Sequence, residues 1–273
     1  MSESARRVRV ETARSFLFVP GDRPDRFAKA RASGADITIL DLEDAVAPGA
    51  KEASRGAVVH WAGTHDDCIV RVNGVGTPWI AGELSALRGS GVPVMLPKAQ
   101  GADDVRRVAD ELAGSPVVGL VETPRGVATA QALAGSGVVA RLALGNVDLA
   151  TALGVDPASQ AALSFARGSL VLASAVGGLP APVDGVSTRL ADQRALANDA
   201  AQGRELGFGA KLCIHPGQVA TVNDTMRPSA EEVAWAQHVL AHAQDGVVAI
   251  DGAMVDAPVV ARARQVIARA ARS

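Results

Sequence analysis

Eight apolar runs, each followed by a helix-forming stretch, predict a (β/α)8 TIM barrel, and the C-terminal helical extension beyond it is either an outer brace or a flap. Three observations carry this. The runs recur mostly about 25 to 30 residues apart, in regular alternation with helical segments. They have little polar relief, as strands buried on both faces require. The eighth ends near Pro216, within the roughly 200 to 250 residues such a barrel needs. A Rossmann arrangement is excluded because no strand is followed by G-x-G-x-x-G. No P-loop and no G-x-S-x-G elbow occurs either.

Residues 1–12 are polar and charged and read as a loose arm without the apolar segment of a signal peptide. Arg14-Ser-Phe-Leu-Phe-Val-Pro-Gly21 is the first strand, closed by a Pro-Gly turn. Residues 22–33 put Phe27, Ala28 and Ala30 in helical register before Gly34. The second strand, Ile37-Thr-Ile-Leu-Asp-Leu-Glu-Asp44, ends in three carboxylates, and a helix follows over 50–62. Residues 68–73 and 93–98 are the third and fourth strands, with helices over 79–87 and 102–113. Val117-Val-Gly-Leu-Val-Glu122 is the fifth, stopped by Pro124 and followed by a helix over 126–134. The sixth spans 138–144, ends at Gly145-Asn-Val-Asp148 and leads to a long helix over 159–176. A weaker seventh strand covers 182–186, a helix 190–206, and Leu212-Cys-Ile-His-Pro216 is the eighth strand. The barrel is therefore expected over 1–227. Residues 228–273 form the extension: a helix over 229–244 with a capping-box start, a hairpin or loop over 247–252, and a helix over 258–271.

Hydrophobic content of 48% and charged content of 21% describe an ordinary soluble chain. A net charge of −2 gives no reason to expect nucleic acid or an anionic membrane as partner. Arg262, Arg264, Arg269 and Arg272 recur at helical spacing and read as a solvated face. Cys68 and Cys213 lie in predicted strands and read as buried thiols, not a disulfide or zinc site. No apolar run approaches a membrane span. The expected location is the cytoplasm.

In a barrel all strand C-termini open onto one mouth, where α/β enzymes place their chemistry. The second strand delivers Asp41, Glu43 and Asp44 there, the third Arg71 and Asn73, and the fourth Lys98. The fifth delivers Glu122, the sixth Asp148 and the eighth Lys211 and His215. A single buried charge is as easily half of an ion pair; so many at one end of one barrel point to a site. Glu122 and Asp148, on adjacent strands, suit a hard cation that keeps several waters, which describes magnesium. His215 is either a third ligand or a turn cap before Pro216. The Arg71 fork suits a carboxylate or enolate oxygen. A Schiff-base role for Lys98 is disfavoured, because the surrounding carboxylates hold its pKa up.

The blocks Arg14-Ser-Phe-Leu-Phe-Val-Pro-Gly-Asp-Arg-Pro, Leu40-Asp-Leu-Glu-Asp-Ala-Val-Ala-Pro, Arg71-Val-Asn, Leu96-Pro-Lys, Val121-Glu-Thr and Cys213-Ile-His-Pro occur in this order. Together they resemble the citrate lyase β-subunit-like family of the HpcH/HpaI aldolase superfamily, which includes citryl-, malyl- and citramalyl-CoA lyases. The resemblance implies a magnesium-dependent barrel that cleaves or forms a C–C bond in a 3-hydroxyacyl-CoA. It places the metal on Glu122 and Asp148, and the substrate and its oxyanion on Arg71. It places substrate and CoA contacts on Phe18, Arg23 and Lys29, and supporting carboxylates on Glu43 and Asp44. Asp251-Gly-Ala-Met-Val-Asp256-Ala-Pro resembles the family's C-terminal flap. There Asp256 matches an acid/base group that reaches a neighbouring subunit, which implies a homotrimer or a dimer of trimers (a hexamer). Two departures are visible: Gly145-Asn-Val-Asp148 where many citrate lyase β-subunits read Gly-x-Glu-Asp, and Cys213-Ile-His-Pro where they tend to have Ile-Asn-Pro. Both lean towards stand-alone CoA-thioester lyases.

The expected reaction is a retro-Claisen or retro-aldol cleavage giving acetyl-CoA or another acyl-CoA and a keto acid. The alternatives are a citryl-CoA or citryl-carrier-protein lyase subunit within a citrate lyase complex, a pyruvate aldolase acting on free acids, and a non-catalytic scaffold. Against the last, so many buried charges are costly to keep without a function.

Overall fold

The computed structural model describes residues 3–243, 248–250 and 253–271. Eight parallel strands close into a barrel in sequence order, with the eighth pairing the first, as the sequence predicts. They are Ser15–Pro20 (β1), Ile37–Asp41 (β2), Cys68–Arg71 (β3), Val94–Leu96 (β4), Val117–Val121 (β5), Val139–Leu144 (β6), Val183–Asp184 (β7) and Ala210–Cys213 (β8). Glu3–Thr12 (α1) precedes β1. Between the strands run Phe27–Arg31 (α2), Lys51–Thr64 (α3), Ile80–Leu87 (α4), Ala102–Leu112 (α5), Pro124–Ala128 (α6), Ala130–Ala134 (α7), Asn146–Leu153 (α8), Gln160–Val176 (α9) and Gln193–Leu206 (α10). Local chemistry sets these helices. In α5, Asp103 and Asp104 face the positive N-terminal end, and Val105, Val108 and Leu112 form the buried stripe.

The strand period of two positions the site. Phe16, Ile37, Ile39, Ile69, Val118 and Leu120 fill the barrel interior. One inward step further along those strands come Phe18, Asp41, Arg71 and Glu122, so each extends an apolar row into the mouth. The same alternation corrects one expectation. Ala210 and Leu212 belong to the interior, so Lys211 between them points outward, away from the mouth. There it meets Asp199 at 2.8 Å, Asp184 at 3.4 Å and the Gly185 carbonyl at 2.7 Å. Arg167 joins the network through Asp184.

Two further differences concern elements. Residues 3–12 are not a loose arm: they form α1, which docks through Val10, with Ala13 just beyond it also buried. Residues 146–153 form a helix that the sequence reading passed over. The anchor of α1 is Arg141, fully buried on β6, whose Nη1 donates to the carbonyls of Val10 (2.9 Å) and Ala13 (2.7 Å) and whose Nε donates to Ala181 (2.8 Å). Arg141→Met strands two buried acceptors and a third, on Ala181, that is part-buried. At about 1 kcal/mol each or more, the loss is about 3 kcal/mol, or roughly 6–12 °C in Tm for a domain of this size. Calorimetry checks it; an unchanged Tm counts against the anchoring role.

The chain divides into two compact units, residues 1–223 and 224–273. Val219–Met226 (α11) ends the first and enters the second. The second contains Ala230–His242 (α12), the antiparallel pair Val248–Ile250 (β9) and Ala253–Val255 (β10), and Ala257–Ala270 (α13). The predicted capping box forms, with the Glu232 N–H donating to Ser229 Oγ and the Ser229 N–H to Glu232 Oε2. Ala236, Val239, Val255, Ala263 and Val266 give this unit its own core. Gln244, Val247, Asp251, Gly252 and Arg272, used in the sequence reading, lie outside the described residues.

Among the described residues no helix is long and apolar enough to cross a membrane. Both cysteines are free and buried. Burial pushes each thiol up to about 12, which leaves them protonated and unreactive.

Candidate active site

At the mouth, Arg71 is the fixed point. Its Nε and Nη2 grip the two oxygens of Asp41 at 2.8 and 2.6 Å, a bidentate fork. Asp41 is itself held by the N–H groups of Glu43 (2.9 Å) and Ala45 (3.3 Å). The ring of Phe18 lies 4.8 Å from the guanidinium carbon, in cation–π range. Burial disfavours the Arg71 charge, but Asp41, Glu43 and Glu122 outweigh it and hold the pKa above its ordinary value.

Around Arg71 stand three further carboxylates. Glu43 meets Lys98 Nζ at 2.5 Å through one oxygen. Its other oxygen is buried and accepts no hydrogen bond, since Arg71 Nη1, 3.0 Å away, is poorly aligned. Burial raises the Glu43 pKa against the pull of Arg71 and Lys98. Glu122 is 3% exposed and accepts the Lys98 N–H on Oε1 at 2.8 Å. Lys98 reaches that position in the left-handed region, at φ +50°, a conformation costing a side-chain-bearing residue roughly 1 kcal/mol or more. Burial first, then the charges of Glu43 and Asp148, push Glu122 up to about 8. Asp148 is half exposed, 4.0 Å from Lys98 Nζ.

Phe18, Arg71, Asp44, Glu122 and Asp148 line one cavity of about 440 Å3, with Leu120, Leu212 and Ile214 as its apolar walls. A larger cavity, of about 570 Å3, is lined by Lys98, Glu43, Asp44 and Asn73, and another pocket sits against the Lys211 network; neither is lined by Arg71, Glu122 or Asp148. Glu122 and Asp148 offer hard oxygen donors. Among the described residues no group of three or more His, Cys, Asp or Glu side chains is set to enclose a metal. Two carboxylates on their own suit a hard divalent ion that keeps much of its water shell. Burial above all, with the neighbouring charges of Glu43 and Asp148 second, disfavours the Glu122 charge, and a bound cation would offset both.

Other expected site residues fall elsewhere. Asp148 stands not at a strand end but in the first turn of α8. Asn73 braces the turn after β2, donating to the Leu42 carbonyl at 2.9 Å and to Glu83 at 2.5 Å. His215 is a turn cap: its Nδ1 accepts the Gly217 N–H at 3.0 Å in a capping box with Gln218. Arg23 is exposed and paired with Asp25 at 2.9 Å, and Lys29 is exposed on α2; neither lines the Arg71 cavity. Asp256 caps α13, accepting the Val259 N–H at 3.2 Å.

Gly145 is a functional position the sequence reading did not single out. A Cβ there would stand 2.5 Å from the Glu122 Cβ and Oε2, so only glycine leaves that carboxylate in place. The signal was present in the β6–α8 junction, where a glycine precedes Asn146 and Asp148.

A family model described as HpcH/HpaI aldolase/citrate lyase matches residues 14–216, which is the whole barrel. The chain belongs to the HpcH/HpaI aldolase/citrate lyase family. A second family model, the C–C bond lyase of the TIM-barrel fold, matches residues 170–272. Within this family, a citrate lyase subunit beta-like protein of Mycobacterium tuberculosis is 39% identical over 264 residues, covering 93% of this chain and 94% of its own. A (3S)-malyl-CoA thioesterase of Cereibacter sphaeroides is 34% identical over 270 residues, covering 94% of each. The crystal structure of CitE from M. tuberculosis with magnesium, acetoacetate and coenzyme A matches with a TM-score of 0.82 at 36% identity. It covers 95% of this chain and 98% of that one. Membership of the HpcH/HpaI aldolase/citrate lyase family makes the chain an enzyme of the carbon–carbon lyase class.

Proposed function

We propose that the chain is a magnesium-dependent lyase that cleaves a 3-hydroxyacyl-CoA thioester, of the malyl or citramalyl kind, to acetyl-CoA or another acyl-CoA and a keto acid. The observation that carries this is the Asp41-locked Arg71 facing Glu122 and Asp148 across one cavity. The relative crystallised with magnesium, acetoacetate and coenzyme A supports it.

Magnesium held by Glu122 and Asp148 supplies Lewis-acid polarisation of the keto-acid oxygens. Arg71 hydrogen-bonds the thioester oxygen, which gains charge as the C–C bond breaks and its electron pair passes into the enolate. Because Asp41 and Phe18 fix the guanidinium beforehand, little reorganisation is needed as that charge develops. Lys98 holds Glu122 through its N–H and balances Glu43 through its ammonium. The 3-hydroxyl gives its proton to solvent as the keto-acid carbonyl forms, and Asp256 of a neighbouring copy in a homotrimer or hexamer gives the enolate carbon its proton and is reprotonated from solvent; in the condensing direction it takes a methyl proton. Arg23 and Lys29 are assigned to the CoA arm.

A screen of malyl-, citramalyl-, 3-hydroxy-3-methylglutaryl- and citryl-CoA with magnesium, followed by mass spectrometry, tests this. Acyl-CoA and keto acid in equal amounts are expected. Cleavage of the free acids alone would establish the aldolase instead, and free CoA beside intact hydroxy acid would establish a thioesterase. These esters differ by little more than a methyl or carboxymethyl, worth about 1–3 kcal/mol of discrimination for a methylene, so more than one is expected to react.

Glu122 also makes metal binding pH-dependent. Its folded pKa of about 8 lies above the usual 4.5. Without metal, the chain is spared the cost of a buried charge below pH 4.5 and loses that stability as pH rises through 8. Magnesium removes the cost by competing with the proton. Its stabilising effect is therefore expected to be several degrees in Tm larger at pH 8.5 than at pH 6.5. Equal effects at both pH values, in a thermal-shift titration, count against Glu122 as a ligand.

A further inference from the structure

On the reading that Asp148 binds magnesium, we infer that Asn146 is a positioning residue for the metal site: it ties the first turn of α8 to the loop after β7 and so fixes where Asp148 stands. The two candidate ligands are held very differently. Glu122 is locked by the Lys98 N–H at 2.8 Å and by its seat against Gly145. Among the described residues no hydrogen bond holds the Asp148 carboxylate, and its ion pair with Lys98 Nζ spans 4.0 Å. The place of Asp148 is therefore set by the backbone of α8. That helix is eight residues long and buries only Asn146, Leu149 and Ala150, so two apolar side chains and one amide anchor it.

Asn146 uses its whole amide. Its Oδ1 accepts the Val186 N–H at 2.8 Å, and its Nδ2 donates to the Val186 carbonyl at 3.0 Å and to the Pro157 carbonyl at 3.4 Å. The two bonds to Val186 copy one hydrogen-bonded pair of a β-ladder, with a side-chain amide in place of a strand backbone. The fit leaves no spare room. A Cβ on Gly185 would stand 2.2 Å from Asn146 Oδ1, so glycine at 185 serves Asn146 as glycine at 145 serves Glu122.

The far side of this clamp is itself anchored. The Gly185 carbonyl accepts Lys211 Nζ at 2.7 Å, the Ser187 hydroxyl donates to Asp199, and the Ser187 carbonyl accepts Gln218 Nε2 at 2.8 Å. Lys211 and Asp199 are paired at 2.8 Å, and Asp184 and Arg167 complete the network. Residues 185 and 187 are thus pinned, and Asn146 takes hold of the residue between them. The charges around Lys211 do not reach the mouth, yet they act on it: they hold the loop that holds α8. An amide suits this task, because it donates and accepts at once and adds no charge beside the ion.

Calorimetric titration of the full chain with magnesium tests it, with wild type, Asn146→Ala, Asn146→Leu and Asp148→Asn side by side. Leucine fills the space of the amide and keeps neither bond, and it carries the test should the alanine variant fail to fold. Both Asn146 variants are expected to raise the magnesium dissociation constant about tenfold or more, the effect typical of groups that orient a metal ligand. In steady-state kinetics they raise the magnesium activation constant by more than they lower kcat. Far-UV circular dichroism and a metal-free melting curve show whether the barrel has formed. A role in folding alone lowers the metal-free Tm and leaves the dissociation constant unchanged, and that result overturns the inference. A leucine variant that binds magnesium as tightly as wild type overturns it too. Asp148→Asn separates the two readings. If it weakens magnesium binding and the Asn146 variants do not, only the clamp is wrong; if it binds as wild type does, the metal assignment falls and takes the clamp with it.

Discussion

Glu122→Gln and Asp148→Asn are each expected to lower magnesium-dependent turnover by about 10³-fold or more, corresponding to about 4 kcal/mol of lost transition-state stabilisation. Glutamine is the sharper test at 122. Its carbonyl still accepts the Lys98 N–H now held at 2.8 Å, so the left-handed turn at Lys98 survives while the negative charge goes. Asparagine at 148 stays in the first turn of α8 and likewise removes charge without bulk. Both variants are expected to fold, and both are expected to lose the magnesium-induced rise in Tm. Either one keeping wild-type turnover would sink the metal assignment. If turnover falls while the magnesium effect on Tm is retained, the residue serves the substrate and not the ion.

Arg71 carries the second large effect, and here stability and activity separate. Arg71→Ala leaves Asp41 and Glu43 buried without their shared cation. Breaking a buried pair in this way costs about 3–5 kcal/mol, enough to lower Tm by roughly 6–20 °C. Arg71→Lys restores a charge but not the fork, because an ammonium cannot hold both Asp41 oxygens and a substrate oxygen in one plane. It is expected to recover much of the stability and little of the activity, with kcat reduced about 10²–10³-fold. Steady-state kinetics beside a melting curve on both variants makes the separation visible. A lysine variant with near-native kcat would show that position 71 supplies charge alone.

The strand count, the closure and the sites on β2, β3 and β5 were readable because one rule generates them. Residues alternate along a strand, and an interior apolar row that ends in a charge delivers that charge to the mouth. Asp41 after Ile37 and Ile39, and Glu122 after Val118 and Leu120, follow this rule. Lys211 was misplaced by ignoring it: proximity to a strand end counted for more than its place between two inward residues. Asp148 was placed correctly in the chain but on the wrong element, because α8 is short and its limits at Gly145 and Gly154 looked like loop. The first helix was missed for a different reason. Its residues are mostly polar, and what docks it is a distant arginine on β6 that no local pattern announces. The Lys98 backbone was equally hidden, since nothing in Leu-Pro-Lys announces a positive φ; the demand comes from Glu122.

The Asp41 fork also limits what Arg71 has left to give. A guanidinium owns five N–H bonds. Asp41 takes two of them, and Glu43 crowds a third at 3.0 Å. Two remain, one on each terminal nitrogen, directed to neighbouring points in the cavity. A ligand facing this arginine can satisfy it with a single two-lone-pair oxygen or one edge of a carboxylate, and has no use for a second such group. Substrates are thereby counted as well as measured: an acid bearing one anionic oxygen centre too many meets a donor already spent.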